Sequence, residues 1–311
     1  MASDILTLVG HTPLVELKHC SPKPDVRLFA KLEGFNPTGS VKDRIVAYML
    51  ERARADGRLK PGQEIVEAST GNTGISLAMI GRRLGHPVRI VVPHTVFSDV
   101  TQALKAFEPQ VEWVPADLGI KSAIDFAREI AERDGAYLLD QFGSPDNPRC
   151  HYEQTAVEII EQQPEIDVFV CGLGTGGTAS GVGRRLKEYN PGVKLVAAEP
   201  HPGAHVQGIH SLEDGYIPPN LDLELLDAKI LVRSVSAFRA ARELLRREGL
   251  LAGLSSGAVL HAALKWAQRL ECANIVMLFA DSGWKYLNSP AFLMDAPLEG
   301  DHEGLDDVLW W

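Results

Sequence analysis

Apolar positions along the chain fall into two interleaved patterns. Short, almost continuous apolar runs occur at 26–32, 88–92, 111–114, 168–171, 194–198 and 274–279. Runs of that length predict parallel strands covered on both faces. Between them apolar residues recur at helical spacing, as in Val41, Ile45, Val46 and Met49, and again in Ala123, Ala127, Ile130 and Ala131. This alternation predicts an α/β fold with mostly parallel sheets. The Pro- and Asn-containing stretch at 143–148 predicts a crossing between two units. No repeat or low-complexity tract interrupts the pattern.

Composition narrows the function. The 311 residues include 31 Lys+Arg against 41 Asp+Glu, a net charge of −10, which argues against a nucleic-acid binder because phosphate neutralisation needs a basic face. With 45 % hydrophobic and 23 % charged residues the chain has enough apolar side chains for a core, which excludes wholesale disorder. No apolar run approaches a membrane span, and the start, Met-Ala-Ser-Asp, is unlike a signal peptide. Cys20, Cys150, Cys171 and Cys272 are scattered, so reduced thiols in a cytoplasmic protein are expected, without a zinc site or disulfide framework.

Three glycine-rich turns carry the candidate chemistry. In the first, Asn36-Pro37-Thr38-Gly39-Ser40 leads into a helix with Lys42 in its first turn. The field of a helix N-terminus lowers an ammonium's pKa and suits a nucleophile or base, although alone Lys42 reads as a solvated surface lysine. In the second, Ser69-Thr70-Gly71-Asn72-Thr73-Gly74 brings hydroxyls, an amide and backbone N–H groups to a helix start, a ready carboxylate or phosphate site. In the third, the strand at 168–171 runs into Gly172-Leu173-Gly174-Thr175-Gly176-Gly177-Thr178. Gly172, Gly174 and Gly177 satisfy G-x-G-x-x-G, with Glu199 ending the next strand, so an NAD-binding Rossmann turn is a reading of this segment too.

Taken together the three turns resemble the fold type II (β-family) pyridoxal-phosphate enzymes, and among them the cysteine synthases, or O-acetylserine/O-phosphoserine sulfhydrylases. The likeness continues through Gly10-His11-Thr12-Pro13, Gln141-Phe142, His151-Tyr152, Gly253-Leu254-Ser255-Ser256-Gly257 and Asp281-Ser282-Gly283. It implies the tryptophan synthase β-like arrangement of two three-layer α/β/α domains: a smaller one at 35–145, a larger one from 1–34 and 146–298, and an acidic tail at 299–311. It implies pyridoxal 5'-phosphate held by Lys42 as a Schiff base, with Asn72 at the ring hydroxyl. Gly174, Thr175, Gly176, Gly177 and Thr178 would cradle the phosphate, and Ser255 would face the pyridine nitrogen. Ser69, Thr70, Asn72, Thr73 and Gln141 would hold the substrate carboxylate. The implied reaction is β-replacement on an activated serine through an aminoacrylate, with sulfide or a sulfur donor giving cysteine. A homodimer, and a sulfur-carrier or serine acetyltransferase partner, belong to the same expectation.

Departures from the family pattern bear on the substrate. His11 stands where an Asn is usual, Ser69-Thr70 inverts a Thr-Ser, and Gln154-Thr155-Ala156-Val157-Glu158 replaces Thr-Thr-Gly-Pro-Glu. The covering loop at 200–220 has no Lys or Arg, only His201, His205 and His210, which disfavours a phosphate leaving group and favours O-acetylserine. Leu212-Glu213-Asp214-Gly215-Tyr216, however, resembles the O-phosphoserine branch. Pro202 and Gly203 break any helix that would align the histidines on a metal. Trp284, Lys285 and Tyr286 are expected in core or dimer packing, without a ligand role. The tail, ending in Trp310-Trp311, is expected to pack on the body or at a subunit contact, or else to fold into the active-site cleft. The alternatives are another β-replacement, of the cystathionine β-synthase or amine-nucleophile kind, the dinucleotide protein, and a cofactor-bearing protein that mainly binds a partner.

Overall fold

The computed structural model describes residues 4–93, 98–115, 119–289, 292 and 308–309. Trp310, Trp311 and the acidic stretch 299–307 lie outside them. The strands are β1 (Leu14–Glu16), β2 (Val26–Leu32), β3 (Ile65–Ala68), β4 (Val88–Pro93), β5 (Gln110–Val114), β6 (Tyr137–Leu138), β7 (Val168–Gly172), β8 (Lys194–Pro200), β9 (Ala228–Val232), β10 (Ala273–Phe279) and β11 (Val308–Leu309). The helices are α1 (Lys42–Ala55), α2 (Asn72–Arg83), α3 (Ser98–Ala106), α4 (Gly119–Asp134), α5 (Asp146–Cys150), α6 (Ala156–Gln162), α7 (Gly177–Tyr189), α8 (Ser234–Glu248) and α9 (Leu254–Ala267).

They build two sheets. The larger has the order β1-β2-β10-β7-β8-β9-β11, parallel in its interior, with β1 and β11 antiparallel at the edges. The smaller, β5-β4-β3-β6, is parallel throughout. The period-2 geometry of a strand sends alternate side chains to opposite faces, and both sheets use it fully. Val168, Val170, Ile275 and Met277 join one core with α8 and α9, while Phe169, Cys171, Val276 and Leu278 join another with α6 and α7. In the smaller sheet Ile65, Ile90 and Val92 meet α1 and α2, and Val66 and Val91 meet α4. Each sheet is therefore the middle of three layers, which explains why its strands read as continuous apolar runs.

All six sequence-read strands are present, with ends shifted by at most two residues. Among the strands the sequence reading overlooked is β9, because Lys229 interrupts its apolar run. That lysine is buried and pairs with Glu199 of β8 at 2.9 Å. The stretch 143–148 is a turn entering α5 rather than a loose linker, with Asp146 held by Arg52 (2.9 Å) and Arg58 (2.8 Å). Val308 and Leu309 pair with Ile230 and Lys229 on the edge of the larger sheet, so this described part of the tail lies on the body and not in a cleft. The strands of the smaller sheet lie between residues 65 and 138; we propose 35–145 as the smaller domain and 1–34 with 146–298 as the larger.

Candidate functional site

Parallel strands leave their binding crevices at their carboxyl ends, and here three such ends converge. After β3 comes Ser69–Thr73; after β7 comes 174–178; after β10 comes the turn from Ala280 to Tyr286. They enclose two adjoining chambers of about 610 and 440 Å³. The first is lined by Ser69, Thr70, Asn72, Thr73 and Gln141, the second by Gly176 and Thr178, and Lys42, Gly174, Thr175 and Ser255 belong to the walls of both. Of the residues singled out from sequence only Gly177 stands behind the lining, packed on Asn147.

Lys42 is the first residue of α1, after a turn in which Gly39 takes φ +81°. The Ser40 hydroxyl accepts from the Lys42 N–H at 3.3 Å, and the Thr38 N–H donates to the Asp43 carboxylate at 2.7 Å, so the helix start is held from both sides. Backbone bonds from Val41 to Ala280 O (2.8 Å) and from Ser282 to Gly39 O (3.1 Å) fasten this turn to the end of β10. The Lys42 ammonium is screened from bulk water but opens onto the chambers. Its pKa falls to about 8, chiefly through burial and with a smaller contribution from Lys285, while Asp281 and Glu33 oppose the shift. Burial, more than the helix field expected from sequence, is the leading cause.

The second turn is tied largely to itself. Ser69 Oγ accepts from the Gly71 (3.1 Å) and Gly74 (2.8 Å) N–H groups, capping α2. Thr73 donates to Gln141 Oε1 at 2.6 Å, and Gln141 Nε2 donates to Ala68 O at 2.9 Å. Gln207, which the sequence did not single out, donates to Thr70 O at 2.9 Å and bridges loop 200–220 to this turn. The third turn must bring backbone close: a Cβ on Gly176 (φ +81°) would meet Leu221 at 2.7 Å, and one on Gly174 would meet Gly208 O at 3.0 Å. Its threonines are held from outside. Asn147 donates to Thr175 Oγ1 (2.9 Å) and to Gln141 O (2.7 Å), and His151 Nε2 lies 3.2 Å from Thr178 Oγ1. His151 opens a π-helical turn, His151–Thr155, and burial drives its pKa well below the usual value, with Lys42 and Arg44 adding to the shift, so it is neutral.

The departures resolve as packing. His11 (φ +48°) is exposed; its N–H donates to Glu158 Oε1 at 3.0 Å, and it does not line the chambers. A left-handed backbone is one that Asn and His tolerate better than most residues. Glu158 pairs with Arg44 (2.6 Å) and Lys31 (2.7 Å) in a buried cluster two residues from Lys42. Of the three loop histidines only His210 lines a chamber, and burial lowers its pKa. Trp284 is 70 % exposed, which excludes the core, while Tyr286 lines the first chamber and Lys285 bonds Asn72. Tyr286 does belong to the core, as expected, besides lining the chamber, while for Lys285 the bond to Asn72 corrects the expectation of packing alone. Glu199, the residue a dinucleotide turn would need for a ribose, is buried and paired with Lys229.

Comparison with known proteins agrees with this geometry. The family of pyridoxal-phosphate dependent enzymes matches residues 5–281. The chain is 40 % identical to a cysteine synthase of Aquifex aeolicus over 299 residues, 93 % of this chain and 91 % of the relative. It is 37 % identical to a cysteine synthase of Staphylococcus aureus over 305 residues, 94 % and 97 % of the two chains. Among solved structures, O-ureido-L-serine synthase superposes with a TM-score of 0.89 at 34 % identity, covering 98 % and 97 % of the two chains. A cysteine synthase of Entamoeba histolytica superposes with a TM-score of 0.86 at 35 % identity, covering 94 % and 91 %.

Proposed function

The chain belongs to the family of pyridoxal-phosphate dependent enzymes and performs β-replacement, and from that premise we propose that it is a cysteine synthase whose activated serine is O-acetylserine. The observation that carries the substrate is one of charge. Among the described residues lining the two chambers, Lys42 is the only Lys or Arg, and His210 is held neutral by burial. A dianionic phosphate leaving group needs a cation beside it, whereas acetate departs from a neutral ester and needs only hydrogen-bond donors.

The residues present fit the cofactor. The second chamber offers a lysine amine at one wall, a serine at the same wall, and a turn so close-packed that a Cβ on Gly176 would strike Leu221. The start of α7 carries no side-chain cap, and its backbone N–H groups can donate to a phosphate, the anion a helix N-terminus favours. In this reading Lys42 anchors the cofactor, Asn72 faces its ring hydroxyl, Ser255 its ring nitrogen, and 174–178 its phosphate. When bound, pyridoxal phosphate delocalises the charge left at the substrate Cα.

The chain's own residues do the rest. Lys42 Nζ, with a pKa of about 8, would take the substrate Cα proton and can return it. Thr70 and the N-terminal amides of α2 orient the substrate carboxylate, and the Thr73 hydroxyl, by donating to Gln141 Oε1, holds the start of α2 in place. Ser255 would meet the ring nitrogen with a neutral hydroxyl, which does not favour its protonation and so would favour elimination over transamination.

The test is the visible spectrum of the purified protein before and after adding O-acetylserine and, separately, O-phosphoserine. A yellow protein whose band changes with O-acetylserine alone, and whose colour is lost in Lys42→Ala, supports the reading; a change with O-phosphoserine alone overturns the choice of leaving group. The likeness to O-ureido-L-serine synthase supports a second reading, in which a ureido nucleophile replaces sulfide. Product analysis with both nucleophiles separates the two.

A further inference from the structure

Lys285 has no place in the reaction as described, and its surroundings are unlike those of a surface lysine. It lies in the 3₁₀ turn Gly283–Tyr286 and is half-buried. Its ammonium donates to Asn72 Oδ1 at 2.6 Å and lies 3.5 Å from Gly39 O. Asn72 Nδ2 in turn donates to Asp281 Oδ2 at 2.7 Å, which also accepts from Tyr286 OH at 2.5 Å. The other Asp281 oxygen, Oδ1, is buried and has no hydrogen-bond partner among the described residues.

The donor inventory gives this chain a direction. An ammonium only donates and a carboxylate only accepts, so an amide placed between them has one satisfactory orientation. The Asn72 oxygen faces Lys285 and the nitrogen faces Asp281, and the side chain so oriented lines the first chamber. The same turn, through Ala280 O and Ser282 N–H, grips the backbone at Val41 and Gly39 on either side of the approach to Lys42. The charged groups that bear on Lys42 are Asp281, Glu33 and Lys285, and those that bear on Lys285 are Asp281 and Asp43. Lys285 is thus the second cation near the lysine amine, and it is joined to the cofactor chamber through one amide.

We propose that Lys285 is a positioning residue for this reaction: its ammonium fixes the orientation of the Asn72 carboxamide, which lines the cofactor chamber, and sets the charge around Lys42. The inference rests on the reading of the chamber as a pyridoxal-phosphate site. Replacing Lys285 by an apolar residue frees Asn72 to rotate and removes one positive charge from the neighbourhood of Lys42. Replacing it by Arg keeps donor and charge.

The experiment titrates the full-length protein, stripped of cofactor, with pyridoxal phosphate, following visible absorption, and then titrates the loaded band with pH. It compares wild type, Lys285→Met, Lys285→Arg, Asn72→Ala and the Lys285→Met/Asn72→Ala double variant, each with its melting temperature. Lys285→Met is expected to weaken cofactor uptake about tenfold, as befits loss of a charge-assisted hydrogen bond, and to move the pH midpoint of the band. Lys285→Arg should recover most of both. On the Asn72→Ala background the Met substitution should have no further effect on uptake, because the two residues act in series. Wild-type uptake and midpoint in Lys285→Met, or effects on uptake that add in full to those of Asn72→Ala, would overturn the proposal. Should the Met variant not fold, Lys285→Gln is read by the same midpoint and the same criteria. A wild-type chain that takes up no pyridoxal phosphate overturns the functional reading itself, a result that cannot be confused with a failure of Lys285 alone.

Discussion

Glu158→Gln removes one carboxylate from a buried cluster of two cations and two anions. Arg44 bonds Glu33 at 2.6 Å and Glu158 at 2.6 Å, Lys31 bonds Glu158 at 2.7 Å, and Thr12 and Gln162 take the remaining donors. Arg44, Lys31 and Glu33 have fully buried side chains and that of Glu158 is 10 % exposed, so water cannot replace the lost charge. Leaving a buried ion without its partner costs about 3 to 5 kcal/mol. At about 2.1 cal/mol/K of unfolding entropy per residue, 311 residues give roughly 0.65 kcal/mol/K, so the melting temperature should fall by about 5 to 8 °C. The pH dependence gives a sharper test. Burial would raise the Glu158 pKa, but Arg44 and Lys31 outweigh it and lower it from 4.5 to about 2. A depressed carboxylate pKa contributes stability that is full above the unfolded value and is lost as pH falls through the folded one. The wild type should therefore lose about 3 kcal/mol from this group between pH 5 and pH 2, and Glu158→Gln should lack that component. Urea denaturation of the loaded protein across this range measures both curves. A variant within 1 kcal/mol of wild type at pH 7, or a stability gap that does not narrow on acidification, would refute the cluster as a source of stability.

Three other outcomes follow from the same geometry. Gly176→Ala puts a Cβ at φ +81° and 2.7 Å from Leu221, so it should cost about 1 kcal/mol or more in stability and, by widening the turn, weaken cofactor binding by a larger factor, read by absorption titration. Asn147→Ala frees Thr175 and the Gln141 carbonyl and should weaken cofactor uptake about tenfold while leaving the far-ultraviolet circular dichroism unchanged. Lys229→Met strands Glu199 in the larger sheet and should cost about 3 to 5 kcal/mol in urea, most of it recovered in Lys229→Met/Glu199→Gln because the pair is then replaced whole.

The sheets were legible from sequence wherever burial on both faces forced an uninterrupted apolar run. That rule succeeds for β2, β7 and β10, whose alternate residues supply two cores. It fails at β9, where the charge on Lys229 is cancelled by Glu199 on a strand that sequence separates from it by some thirty residues. It fails also at β3, where only four residues lie between Gln63-Glu64 and Ser69-Thr70. The same limit applies to Arg44, which by pattern alone belongs on a polar helix face. Its buried position depends on Glu33 and Glu158, which come from β2's end and from α6.

In the candidate site, what could be read was whatever the backbone itself demands. Glycines at positive φ and close approaches, and hydroxyls clustered at a helix start, leave local signatures, and Ser69–Thr73 and 174–178 were found by them, whereas Lys42 alone reads as a surface lysine and was singled out by the resemblance. Side chains that act across the cleft leave none. Asn147, His151, Gln207 and Lys285 are ordinary polar residues in sequence, and each becomes a candidate only through a partner contributed by another element: Thr175, Thr178, Thr70 and Asn72. The pattern has a physical basis. A phosphate or carboxylate is cradled by main-chain amides, which any local turn can supply, but an amide or hydroxyl is held in one orientation only by complementary donors and acceptors arriving from outside the turn. Substitutions in the outer set should therefore leave the chambers formed and alter how firmly they grip, a difference that cofactor affinity reads more directly than turnover.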